Sequence, residues 1–214
     1  MHIVPGLKVL YFGTPVVLIS TVNPDGSANL APMSSAWWLG DSAMLGMGNS
    51  SQTAANLKRH GECVLNLASS DLAGAVDRIA LTTGKAEIKP YRQEQGYVHV
   101  KDKFALGGFT RQQSDLVEPP RVKECAIQLE CHVVEGRPFD AGATGFQVRV
   151  LRAHVEDDLV IPGTHHVDPQ RWDPLIMKFC EFFGGGENVR PSRLAEGWKM
   201  PVPATSSRSA PASR

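Results

Sequence analysis

Pro15-Val-Val-Leu-Ile-Ser-Thr-Val22, followed by Asn23-Pro-Asp-Gly26 and then Ser27-Ala-Asn-Leu-Ala-Pro-Met-Ser-Ser-Ala-Trp-Trp38, is the run that decides the fold. Its first segment is dense in β-branched side chains, which suit a buried pleated strand. Pro24 presets φ at the turn and Gly26 accepts a left-handed backbone, so the chain reverses into a second strand running toward Trp38. Gly40-Asp41 reverses it again into a third strand over residues 43 to 47. A meander of hairpins therefore opens the chain, and Glu62-Cys-Val-Leu-Asn-Leu67 reads as a further strand.

Farther along, Ile127, Leu129, Cys131 and Val133 alternate with polar residues, which predicts a strand over 125 to 134 with one buried face. Residues 144 to 155 repeat the pattern through Phe146, Val148 and Val150. The apolar phase then passes to Leu151, Ala153 and Val155, which a β-bulge near Val150 explains. Leu72, Val76, Ile79 and Ala80 share one face of a helix over 71 to 81, better suited to core than to a cofactor. Residues 85 to 120 are polar, hold Gly and Pro, and show no period; such stretches inside compact domains are often functional loops. Six or so mostly antiparallel strands with few short helices predict a mainly β fold, a small closed or half-closed barrel rather than a parallel sheet. Asp173-Pro174 then predicts a helix carrying Leu175, Ile176, Phe179 and Phe183, ended by Gly184-Gly-Gly186. The expected layout is a barrel over 1–160, a helical extension over 161–200 packed on the barrel or on a partner, and a low-complexity, disordered tail over 201–214.

The 214 residues suffice for one domain with a real core. Lys plus Arg equals Asp plus Glu at 22 each, so no general electrostatic pull favours nucleic acid or an anionic membrane. No apolar run reaches the roughly 20 residues of a membrane span, and the N-terminus lacks the layout of a signal peptide. Cys63, Cys125, Cys131 and Cys180 are scattered without a C-x-x-C spacing, as expected of reduced thiols in a cytoplasmic protein without zinc.

The segment Gly46-Met-Gly-Asn-Ser-Ser-Gln-Thr-Ala-Ala-Asn-Leu-Lys-Arg-His-Gly61 carries the functional signal. A helix from Gln52 stops at Gly61, with Lys58, Arg59 and His60 in its last turn where cations suit the dipole. Its first turn has no Asp or Glu. The orphan N–H groups there are open to a ligand phosphate, or Ser50 or Ser51 simply caps the helix.

These segments, with Gly107-Gly-Phe-Thr110, Pro119-Pro-Arg-Val-Lys-Glu124 and Leu129-Glu-Cys131, resemble the flavin reductase-like, FMN-binding split-barrel family that includes flavoredoxin, over about residues 10 to 160. The resemblance implies a six-stranded antiparallel split barrel, a homodimer, with flavin near the subunit interface. It implies that Asn29, Ala31, Pro32, Met33, Ser34, Ser35 and Ala36 line the isoalloxazine ring, largely through backbone groups. It further implies that Asn49, Ser50, Ser51, Gln52 and Thr53 cradle the phosphate, with Asn56 behind them. Many relatives begin the phosphate segment with Arg or Lys, whereas here it is uncharged; either Lys85, Lys103 or Arg111 from the irregular region supplies the charge, or the flavin comes and goes as a substrate.

The implied chemistry is hydride transfer from NAD(P)H to FMN or FAD, bound or exchanging, with a monooxygenase or another redox protein as consumer. Such transfer asks for ring stacking and donors at the ring edge, so no catalytic acid or base is assigned. Ser34 or Ser35 hydroxyls and nearby N–H groups would stabilise charge developing on the reduced ring. The alternatives are an FMN-bearing electron carrier without its own NAD(P)H activity, and a split-barrel module holding another ligand such as haem. Of Trp37 and Trp38 at most one can face a ring, because adjacent strand residues point to opposite faces. His154 and His165-His166 lack a zinc spacing, and Gly184-Gly-Gly186 has no strand-to-helix frame for a phosphate.

Overall fold

The computed structural model describes residues 1–190, 192–198 and 200–201. The first strands are β1 (Phe12–Pro15), β2 (Val17–Val22), β3 (Ala28–Met33), β4 (Ala36–Leu39) and β5 (Ser42–Gly48), followed by α1 (Gln52–His60) and β6 (Glu62–Leu67). An irregular stretch comes next, with α2 (Ala73–Arg78), β7 (Thr82–Thr83), α3 (Pro90–Glu94), β8 (Val98–His99), α4 (Lys103–Gly107), β9 (Arg111–Gln112) and β10 (Arg121–Val122). Two long strands, β11 (Ile127–Pro138) and β12 (Ala143–Val155), precede β13 (Ile176–Lys178), β14 (Glu181–Phe183) and α5 (Leu194–Gly197).

Seven strands form one antiparallel sheet in the order β3-β2-β6-β11-β12-β5-β4. The single strand expected over 27 to 38 breaks at Ser34-Ser35, and its halves become opposite edges of the sheet. Two linking residues can span only about 11 Å, so the sheet must curl until its edges nearly meet. At the break the Gly46 N–H donates to the Ser35 carbonyl at 2.8 Å, and a Cβ on Gly46 would lie 3.4 Å from the Ser35 Cβ.

Strand β2 is buried on both faces because its apolar side chains alternate between two cores. Val17 and Ile19 enter the interior core with Leu45, Leu65, Phe146 and Val148. Leu18, with Val16 just before the strand, joins an outer core with Val76 of α2, Ile79 just after it and Phe104 of α4. Each such side chain contributes roughly 1.5–3 kcal/mol through burial. Helix α1 inserts Ala54 and Leu57 into the interior core. Ser51 caps it, accepting from the Ala54 N–H at 3.0 Å, and Gly61 ends it at φ 80°. The expected bulge is present: Glu130 pairs with Arg152 and Cys131 with Val150, leaving Leu151 as the extra residue.

The helix expected over 173 to 183 is not formed. Residues 176–183 make a hairpin that pairs with β1 in a three-stranded sheet, so the expected helical extension is largely β in character. Asp173 accepts from Ser70 instead of capping a helix, and the Leu175 backbone bridges Val16 and Ala68 through its carbonyl and N–H. The hairpin turns at Phe179 (φ 48°) and Cys180 (φ 71°), a left-handed pair that costs about 1–2 kcal/mol per residue without glycine. Phe179 meets Phe12 edge to face at 5.2 Å, which offsets part of that cost. Gly184 does not terminate a helix; a Cβ there would strike the Ser70 Cβ at 2.1 Å. The expected disorder of the tail concerns residues that, from 202 on, lie outside the described ones. Among the described residues no helix is long and apolar enough to cross a membrane.

Candidate functional site

A cavity of about 540 Å³ opens where the curled sheet parts. On its barrel side lie residues 31–35 from the end of β3 and the break after it, and residues 50–53 from the start of α1. Ser51 spends its hydroxyl on the cap, which satisfies the Ala54 N–H. Among the described residues the N–H groups of Gln52 and Thr53 find no acceptor, because they precede the first intrahelical bond. Both readings of this segment therefore hold: Ser51 is a cap, and two donors remain at the positive end of the helix.

Beneath this wall runs a buried amide network. Asn29 donates through Nδ2 to Thr21 Oγ1 at 3.2 Å and to Thr53 Oγ1 at 3.1 Å. Asn56 donates to Thr21 Oγ1 and Asn23 Oδ1, and receives Gln52 Nε2 at 2.9 Å. These bonds fix the first turn of α1 relative to β2 and β3. The Asn29 Oδ1 is buried without a partner, and a Cβ on Gly84 would lie 2.8 Å from it. Glycine at 84 is what lets the opposite wall approach this closely.

That opposite wall comes from the aperiodic part of the chain: Thr82, Thr83, Gly84, Tyr91, Arg92, Tyr97 and Lys103. Tyr91 and Ser50 share a hydrogen bond of 3.0 Å between their hydroxyls, which ties α3 to the cradle. The Arg92 guanidinium stacks 3.8 Å above the Tyr97 ring. Lys103 is only 3% exposed, and among the described residues its ammonium has neither a carboxylate nor a hydrogen-bond acceptor. Burial, with the nearby Arg92 charge adding to it, pushes its pKa down to about 8. Tyr11, just before β1, and Met177, Cys180 and Phe182 of the C-terminal hairpin close the cavity.

Nine of the thirteen residues expected at the site line this cavity: Ala31, Pro32, Met33, Ser34, Ser35, Ser50, Ser51, Gln52 and Thr53. The other four do not. Asn29 and Asn56 stand behind the wall, and Ala36 belongs to the interior core. Asn49 turns away, accepting from Thr144 Oγ1 at 2.6 Å and Lys58 Nζ at 3.0 Å. Of the three cations considered, Lys103 lines this cavity and Lys85 an adjoining one. Arg111 is ruled out as a free charge, since it is bound to Asp102 at 2.6 Å and lies over the Phe104 ring. Neither tryptophan reaches the cavity: Trp37 is exposed on β4 and Trp38 packs on the interior core. Arg92 and the tyrosines carried no signal in the sequence beyond belonging to a long irregular segment.

One constellation of potential metal ligands, Asp115, Glu130 and His154, exists among the described residues, with ligand atoms within 4.8 Å of one another. Its buried Glu130 is already committed, accepting from the N–H groups of Asp115 and Leu116 and contacting His154 Nε2 at 2.7 Å. Arg152 holds Asp115 at 2.7 Å, so the group pins a loop to the barrel.

A flavin reductase like domain matches residues 9–177 of the chain. YdfE of Bacillus subtilis (strain 168), an uncharacterized protein, is 38% identical over 184 residues, which is 85% of this chain and 88% of YdfE. Among solved structures, flavoredoxin of Desulfovibrio vulgaris (Miyazaki F) superposes with a TM-score of 0.75 at 19% identity, over 92% of this chain and 100% of that one. Nitrilotriacetate monooxygenase component B from Bacillus cereus gives 0.71 at 19% identity, over 89% and 98%. A split-barrel-domain protein from Shewanella frigidimarina NCIMB 400 gives 0.67 at 18% identity, over 84% of this chain and 86% of that one, so the curled antiparallel sheet is of the split-barrel type.

Proposed function

The chain belongs to the flavin reductase-like family, and from that premise we propose that it binds FMN in the 540 Å³ cavity and moves hydride from NADH or NADPH onto it. A bound flavin would supply the ring that takes up hydride and passes electrons on. The carrying observation is the pairing, on one cavity, of a helix start with two unpaired N–H groups and of Lys103, a largely buried lysine with no ion pair among the described residues. Both favour a dianion. In this reading Gln52, Thr53 and Lys103 hold the phosphate. The break after β3 presents the N–H groups and hydroxyls of Ser34 and Ser35 to the ring edge, while Tyr91, Arg92 and Tyr97 screen the cavity from water. No side chain is assigned as acid or base, because the protein's task is to orient and screen.

The edge strand β4 exposes Trp37 and Leu39 beside β1, where Phe12 is also exposed. An apolar sheet edge of this kind calls for a cover, and we assign it to a homodimer interface. The three buried free thiols suit the reducing cytoplasm. By likeness to the monooxygenase component, an oxygenase that consumes reduced flavin is the proposed partner. The test is to load purified protein with FMN and follow NADH and NADPH oxidation. Turnover above the flavin-only rate supports the reductase. Tight FMN retention without turnover favours an electron carrier, the reading that likeness to flavoredoxin suggests. No flavin retention and no turnover would overturn both.

A further inference from the structure

Residues 84–97 form a loop whose ends are tied together. Strands β7 and β8 pair at Thr82–Val98 and Thr83–His99, and the Val98 and Val100 N–H groups donate to the Leu81 and Thr83 carbonyls. Between those ends no residue is buried, and none belongs to either apolar core. Among the described residues its charged groups, Lys85, Glu87, Lys89, Arg92 and Glu94, form no ion pair. Its backbone bonds are internal or reach Thr83. Among the described residues one hydrogen bond joins the loop to the barrel, the 3.0 Å bond between the Tyr91 and Ser50 hydroxyls.

That bond stands at the cradle, because Ser50 directly precedes the cap of α1 and lines the cavity with Tyr91. A hydroxyl has one proton and two lone pairs, and either of these two oxygens can be the donor. A phosphate beside Ser50 would take the serine proton in a hydrogen bond and leave the serine oxygen to accept from Tyr91. Donating and accepting at once strengthens both bonds. Charge acts in the same direction. Arg92 on the loop and Lys103 on α4 line the same cavity, close enough that the guanidinium disfavours the lysine's charge. The two cations repel one another, and a dianion attracts both.

We propose that residues 84–97 are a strap drawn shut by a flavin phosphate, with the Tyr91–Ser50 bond as its latch and Tyr91 as a positioning residue that acts through Ser50. This rests on the assignment of the first cavity to flavin. The strap then retains FMN longer than riboflavin, because only a phosphate engages the serine.

The test measures FMN and riboflavin release from wild type, Tyr91→Phe, Ser50→Ala and the double variant. Hydrogen exchange is followed at the Gln93, Gln95 and Gly96 amides, which bond inside the strap. We expect FMN to leave Tyr91→Phe about fivefold faster, the scale of one hydrogen bond, and riboflavin to change less than about twofold. The double variant should release FMN no faster than Ser50→Ala alone, since the tyrosine acts through that serine. FMN should slow exchange in the wild-type strap more than riboflavin does, and Tyr91→Phe should abolish that difference. Unchanged FMN release from Tyr91→Phe, equal acceleration of both flavins, additive effects in the double variant, or exchange that ignores FMN overturns the proposal. Should FMN fail to bind wild type, the reading of the first cavity falls, and exchange in unliganded protein still decides the latch. Tyr91→Phe must then speed exchange in the strap, and equal exchange in both proteins overturns it.

Discussion

The barrel and the wall over residues 82–103 build one cavity by opposite means. In the barrel, α1 and the strands around it are fixed by side chains buried on both faces and by an amide network, and the groups they offer a ligand are neutral. In the wall, Arg92 on the five-residue helix α3 and Lys103 at the start of α4 line the cavity without an ion pair among the described residues, and Lys85 in the loop after β7 lines the adjoining one. The difference shows where charge can be kept unpaired. A packed core forces pairing or neutrality, whereas a wall that borders a cavity can leave a cation unpaired beside it.

The largest expected effect breaks the barrel side. Phe146→Ala removes a fully buried ring from the interior core and should cost about 3–5 kcal/mol in denaturant unfolding. Arg92→Ala in the wall should cost no more than about 1 kcal/mol, the scale of its stacking on Tyr97. Equal losses would erase the distinction between the two regions.

Lys103→Met sharpens the same contrast. It should lower FMN affinity by about tenfold and leave riboflavin, which lacks the phosphate, nearly unchanged. Because it removes an unpaired buried charge, the unliganded variant should melt higher than wild type. A lower melting temperature with unchanged FMN affinity would make Lys103 a structural residue.

A smaller effect follows from pH. With a pKa of about 8 in the fold against an ordinary 10.5, Lys103 binds fewer protons folded than unfolded between those values. Its contribution therefore raises the stability of unliganded protein as pH climbs from about 8 to about 10.5. A bound phosphate favours the charged form, so FMN affinity should fall as pH passes about 8. Melting curves and FMN titrations across that interval, with Lys103→Met as control, read both signs.

Legibility in the sequence follows the same division. The run at 15–22 was readable because a strand buried on both faces is a continuous β-branched stretch, and the alternation around Phe146 because burial of one face imposes a period of two. The phase change at Leu151 even placed a bulge. Residues 50–53 were readable because a cap followed by an uncharged first turn is a local signal. The C-terminal hairpin was not. Leu175, Ile176, Phe179 and Phe183 fit a helical period, and only the distant β1, with Val16 and Ala68 beyond it, makes the extended form preferable. Ser34-Ser35 gave no sign of a break either, since what breaks the strand there is closure of the sheet. Tyr91 and Arg92 reach the cavity through contacts that no short-range pattern encodes, and Lys103 was named only as one of three cations of the irregular region.

The most direct measurement compares FMN and riboflavin binding in wild type and Ser51→Asp. Aspartate caps a helix as well as serine does, so α1 persists while a negative charge enters the cradle. We expect FMN to bind at least about tenfold more weakly and riboflavin to change by less than about threefold. Equal weakening of both ligands would contradict a phosphate at the start of α1.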